Sequence, residues 1–100
     1  MGFLLYSRYN IRMIRHEVVA LDSTPLDLTI NGVIDPLIVL SIQNIMSSGY
    51  AYLGNEKVSK INYGHKLYPG QSFTIELAPN DKLYAVGDSG VSVAKFILDI

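Results

Sequence analysis

Two histidines, nine carboxylates and no cysteine are the whole supply of metal-ligating side chains in this chain. His16 and His65 stand far apart, and neither falls in the HxH or HxxxH spacing that lets two imidazoles face one ion, so no metal centre is expected. The cupin pattern of HxH, then Glu, then a later His is missing. His65, in YGHKL, has no neighbour placed to make it a base, and the expected role is a loop histidine bonded to backbone. Asp81 and Asp88 flank a strand and would meet at one end of a sandwich, where calcium takes several oxygens, although turn chemistry uses both more simply. Ser41, Ser47, Ser48, Ser72, Ser89 and Ser92 lack a GxSxG elbow, and no glycine run matches a phosphate-cradling loop. No catalytic class survives, and the expectation is a protein without catalytic residues, cofactor or metal.

What remains is surface chemistry. Seven tyrosines with no tryptophan is the compositional oddity, and Tyr50, Tyr52, Tyr63, Tyr68 and Tyr84 fall in the later half. A tyrosine buries area while keeping a polar tip, so this set suits subunit interfaces, sugar-stacking platforms and plain core or corner positions alike. Arg8, Arg12 and Arg15 stand at helical spacing in a stretch that otherwise carries β-branched and apolar weight. They would grip an acidic neighbouring subunit or DNA, or simply form a solvated strand face. The formal net charge of −1 supplies no field for nucleic acid, which is not an expected partner.

These residues must be positioned by one small domain, because 100 residues support one core. Apolar residues make up 49% and charged residues 17%, which leaves more apolar surface than a monomer of this size easily hides and favours self-association. No apolar run reaches the roughly 18 residues of a helical membrane span, and Met1–Leu5 lacks the basic flank and length of a signal segment, so neither membrane nor secretion is expected.

The element pattern is β throughout. Residues 1–20 read as an N-terminal arm leading into a first strand, and residues 21–100 as the sandwich proper. Leu26, Leu28 and Ile30 alternate with Asp27 and Thr29 after the turn cluster Asp22-Ser23-Thr24-Pro25. Asn31-Gly32 and Asp35-Pro36 then punctuate a loop. Ile38, Leu40 and Ile42 oppose Ser41 and Gln43 at the two-residue period of a strand with one face on a core, an alternation that ends at Asn44. Met46-Ser47-Ser48-Gly49 is a turn, Tyr50 to Leu53 a short strand with both tyrosines on one face, and 54–70 a long loop with one short strand. Phe73, Ile75 and Leu77 point inward, and the last three strands are expected to follow one another as a meander. The expected fold is an all-β antiparallel β-sandwich, jelly-roll or Ig-like, of about seven strands.

Within this pattern IQN (42–44), GYAYLG (49–54), NYG (62–64), PGQSF (69–73) and LYAV (83–86) run through residues 38–98. That set resembles small virion structural proteins encoded in tailed-bacteriophage head and tail gene clusters. The resemblance implies a compact β-sandwich that decorates or stabilises a capsid, or forms a head-fibre base, without catalysis. It implies major capsid protein or another virion protein as partner, a homo-oligomer with a trimer as one candidate state, and residence in the virion after assembly in the bacterial host cytoplasm. The candidate interface residues are Arg8, Arg12, Arg15, Tyr50, Tyr52, Tyr63, His65 and Tyr68. The alternative is a carbohydrate-binding or host-adhesion module of a phage tail or head fibre, stacking sugar rings on Tyr63, His65 and Tyr68.

Overall fold

A computed structural model describes residues 14–29 and 37–99. Arg8, Arg12, the Asn31-Gly32 turn and the Asp35-Pro36 break lie outside them. The described chain forms eight strands: β1 (Ile14–Ala20), β2 (Leu26–Asp27), β3 (Ile38–Asn44), β4 (Ala51–Gly54), β5 (His65–Leu67), β6 (Ser72–Leu77), β7 (Tyr84–Gly87) and β8 (Ser92–Asp99). They build two four-stranded antiparallel sheets, ordered β1-β8-β3-β6 and β2-β7-β4-β5.

Four of the six pairings join β1 to β8, β2 to β7, β3 to β6 and β4 to β5, the pattern of one long hairpin folded over on itself. The other two, β8 with β3 and β7 with β4, close that wrapped hairpin into two sheets. This is a jelly roll, the eight-stranded double Greek key among small β-sandwiches.

The eight strands of the described residues fit the expected sandwich of about seven, with the short strand of the 54–70 loop formed by His65–Leu67 and the strand after the Asp22–Pro25 turn shortened to Leu26–Asp27. The topology corrects one expectation. The closing meander is not formed: β6 pairs with β3, β7 with β4 and β2, and β8 with β1 and β3. Local turn signals made consecutive strands look like hairpins. Asn80, at φ 74°, and Asp81, whose carboxylate accepts the Ala78 N–H at 2.9 Å, do turn the chain after β6, but they carry it across to the opposite sheet.

The core follows the two-residue period. In β3 the side chains of Ile38, Leu40 and Ile42 are buried between the sheets, and Leu77, Val93 and Ile97 join them from the same sheet. Ala51, Leu53, Leu67 and Ala85 answer from the other sheet. Each fully buried aliphatic side chain of this kind contributes about 1.5–3 kcal/mol relative to exposure.

The period does not stop where the sequence alone places the stop. Asn44 occupies the next inward position after Ile42 and is fully buried. Its Nδ2 donates to the carbonyl oxygens of Gly49 at 3.0 Å and Leu67 at 3.1 Å, while its Oδ1 accepts the Met46 N–H at 3.0 Å. Its own peptide N–H donates to the Gln71 carbonyl at 2.9 Å, and its carbonyl accepts from Gly70 at 2.8 Å. One amide thus ties β3 of the first sheet to the end of β5 in the second, and fixes the turn between β3 and β4.

Replacing this amide removes the partner of three backbone groups, the buried Leu67 carbonyl and the part-buried Gly49 carbonyl and Met46 N–H. Asn44→Ala is expected to lower the unfolding free energy by about 2–4 kcal/mol in chemical denaturation. A cost below about 1 kcal/mol would show the clasp to be dispensable.

Candidate binding surfaces

The two outer faces of the sandwich differ in chemistry. On the first sheet, register places Ile14, His16, Val18 and Ala20 of β1 beside Leu98, Phe96, Ala94 and Ser92 of β8. Next come Val39, Ser41 and Gln43 of β3, and then Glu76, Thr74 and Ser72 of β6. Ile14 is 58% exposed, Val18 63% and Phe96 44%. Ser41 and Thr74 share a hydroxyl–hydroxyl bond of 2.9 Å across the floor of a shallow trough of about 500 Å³. Among these outward side chains Glu76 alone carries a formal charge. Contiguous uncharged, partly apolar surface of this kind is what interface cores look like.

The opposite side of β1 is charged. Arg15 and Glu17 share the inward side with Val19, so Arg15 does not stand on the exposed apolar face. Glu17 reaches the ammonium of Lys95 at 3.0 Å, and Lys95 is itself buried at an inward position of β8. Inward charge next to an edge strand discourages pairing with a stray strand.

The second sheet carries the tyrosines. Tyr52 points outward from β4 and is buried there by Val58, which the loop between β4 and β5 folds down onto Tyr52 and Val86, with Tyr50 and Tyr84 at the margin. Lys66, across from Tyr52 in β5, holds its ammonium 4.2 Å from the ring centroid of Tyr50, 5.1 Å from that of Tyr68 and 5.8 Å from that of Tyr52. Tyr68 meets Tyr50 edge-to-face at 5.2 Å, and Tyr63 leans on Tyr52 at the same centroid separation. The cation–π cage is therefore filled by the chain's own lysine. At such partly exposed sites each contact contributes about 0.5–1 kcal/mol.

Tyr50, Tyr52, Tyr63 and Tyr68 thus share one face. His65 does not join them: it sits opposite Leu53, on the side of β5 that turns toward the first sheet, and lies against Phe73 at 4.8 Å. There it borders an apolar recess of about 220 Å³ with Leu53, Gly54, Gly64, Phe73 and Leu83.

Asp88 anchors the cluster. Its Oδ2 accepts the Tyr50 N–H at 2.9 Å, its own N–H donates to the Tyr50 carbonyl at 3.0 Å, and the Lys60 ammonium lies 3.1 Å from its Oδ1. The Tyr50 N–H bond, helped by Lys60 and Lys66, outweighs burial and holds the carboxyl below its ordinary 3.8. At Asp27 burial pushes the other way, but hydrogen bonds from the Thr29 side chain and backbone, together with Lys82, prevail and the carboxyl is again lowered. Of the two acids seen in sequence as candidates for calcium, Asp81 holds its own turn at Ala78, and Asp88 bonds across the chain to Tyr50. Among the described residues no three His, Asp or Glu side chains converge as a metal site.

Asn44, Lys66, Lys95, Asn55 and Asn62 were not singled out by residue type. Asn44 and Lys95 had a signal in the strand period, since both fall on the inward phase of alternating apolar runs. No family model matches this chain, no curated protein matches it, and no solved structure matches it.

A carboxyl held below its unfolded value stabilises the fold fully above that value, and the contribution fades as pH falls through the lower folded value. The stability difference between the wild type and Asp88→Asn should therefore narrow on acidification below about pH 4, measured by denaturant titration at several pH values. A difference that stays constant with pH would show that the Asp88 carboxylate does not stabilise the fold.

Proposed function

We propose that the chain is a non-enzymatic structural subunit of a tailed-bacteriophage virion, a capsid decoration or cementing subunit that binds major capsid protein and associates with itself. The observation that carries this reading is the outer face of the first sheet, where Ile14, Val18, Phe96, Leu98 and Val39 form a partly exposed surface with one formal charge, Glu76, at its border. Such a face stabilises a complex by burial alone and needs no reacting group. The resemblance carried by IQN, GYAYLG, NYG, PGQSF and LYAV supplies the virion setting. Those motifs lie at the end of β3, the start of β4, the entries to β5 and β6, and along β7, so they are the turns and inward positions that hold the jelly roll together.

A second reading, a glycan-binding module of a phage fibre, is favoured by one specific observation. Tyr63 and Tyr68 are 45% and 49% exposed on the tyrosine face, and the rings of both are braced by other aromatic rings.

The purified chain should co-sediment with expanded capsids. Phe96→Glu should weaken that association by about 2 kcal/mol or more, roughly thirty-fold, while leaving thermal unfolding unchanged because Phe96 is exposed in the free protein. Wild-type protein that does not bind capsids, or binding indifferent to Phe96→Glu, overturns the proposal.

A further inference from the structure

The loop between β4 and β5 is built to hold a shape. The side-chain Oδ1 of Asn55 accepts the Lys57 N–H at 2.9 Å, and the Asn55 carbonyl accepts the Val58 N–H at 2.9 Å. Ser59 and Asn62 bond each other as an isolated bridge, and Ser59 Oγ accepts the peptide N–H groups of Ile61 and Asn62. The side-chain Nδ2 of Asn62 donates to the Lys57 carbonyl at 3.3 Å, and the Gly64 N–H donates to the Leu53 carbonyl at 2.8 Å. Val58, buried against Tyr52 and Val86, pins the loop to the sheet.

This bonding uses only half of each asparagine amide. Asn55 gives its oxygen and keeps an Nδ2 donor, while Asn62 gives its nitrogen and keeps an Oδ1 acceptor. Neither spare group has a partner among the described residues. Asn55 and Asn62 line one depression of about 230 Å³ together with Gly54, Gly64 and Tyr63. Tyr63 is 45% exposed, and its ring is backed by that of Tyr52 at 5.2 Å. The five lining residues carry no charge.

We infer that this depression binds a neutral pyranose, an assignment that rests on the glycan-binding reading above and gives it a site. The spare amide N–H groups of Asn55 and the spare oxygen of Asn62 suit neighbouring hydroxyl groups, each of which both gives and takes a hydrogen bond. The C–H face of the sugar ring lies against Tyr63, where an aromatic ring supplies apolar contact and a polar edge together. An anionic or cationic ligand would find no counter-charge on these walls. Because the loop is already ordered by its own bonds, binding loses little freedom in the protein, and the small site sets an affinity in the millimolar range for a single ring. The site is not the set expected from sequence: His65 turns to the other face and Tyr68 belongs to the Lys66 cage, leaving Tyr63 with two asparagines.

The test is a titration of the full chain, followed by amide chemical shifts, with the methyl glycosides of glucose, galactose, mannose and N-acetylglucosamine, alongside an oligosaccharide array. At least one glycoside is expected to move the amides of Gly54, Asn55, Asn62 and Gly64 in a saturable way. Asn55→Asp keeps the oxygen that holds Lys57 and replaces the donor by an acceptor, so it should bind about ten-fold more weakly with unchanged thermal stability. Tyr63→Leu should weaken the same ligand. Wild-type affinity in both variants overturns the site. Shifts centred on Lys66 and Tyr68 that vanish in Tyr68→Ala also overturn it while keeping the glycan-binding reading. Silence across the glycosides and the array overturns both.

Discussion

The side-chain amide of Asn44 is the interaction on which the arrangement of both faces depends. A buried amide is costly to leave unpaired, and here donor and acceptor are spent on Gly49, Leu67 and Met46. Its bond to Leu67 joins the two sheets, and its bonds to Met46 and Gly49 set the turn that delivers the chain into β4. Gly49 then adopts φ +89°, and a Cβ there would stand 2.7 Å from Val91 Cγ2, so the turn packs directly onto the segment entering β8. Tyr50 follows at once, locked in both directions to Asp88. Through these few contacts one polar group in the core decides where the first tyrosine of the outer cluster sits.

The jelly roll then separates two kinds of surface. On the first sheet the outward phase of four strands is nearly charge-free, and apart from His16 and Glu76 the polar positions on it are filled by hydroxyls and an amide that adapt to a partner. On the second sheet the outward phase is aromatic, and most of it is already covered: Val58 seals Tyr52, and Lys66 fills the space among Tyr50, Tyr52 and Tyr68. What stays open there is local, a polar hollow beside Tyr63. The broad face suits burial against another protein, and the hollow suits a small ligand, so the two readings occupy different parts of one molecule.

The fold class was legible because strand alternation is a local signal. Ile38, Leu40 and Ile42 against Ser41 and Gln43, and Phe73, Ile75 and Leu77 against Thr74 and Glu76, lie on the faces their spacing assigns. Partner choice was not legible, since β1 pairs with β8 across most of the chain and no local pattern encodes that. The tyrosine face was half legible: Tyr50 and Tyr52 share a side by period, Tyr68 joins them through the pairing of β5 with β4, and Tyr63 joins them because the loop folds back. His65 was misgrouped for the same reason, because strand β5 places it one residue out of phase with Lys66. Asn44 was readable as an inward position, but its polarity concealed it, as did that of Lys95.

A reconstruction of intact particles by electron cryo-microscopy tests the central claim most directly, because it reports location and orientation together. Density for this jelly roll is expected on the outside of the capsid, with Phe96, Val18 and Val39 turned toward the major capsid protein and the Tyr63 hollow open to solvent. Particles with no such density, or with the tyrosine face buried against the shell and the Phe96 face bare, would contradict that claim.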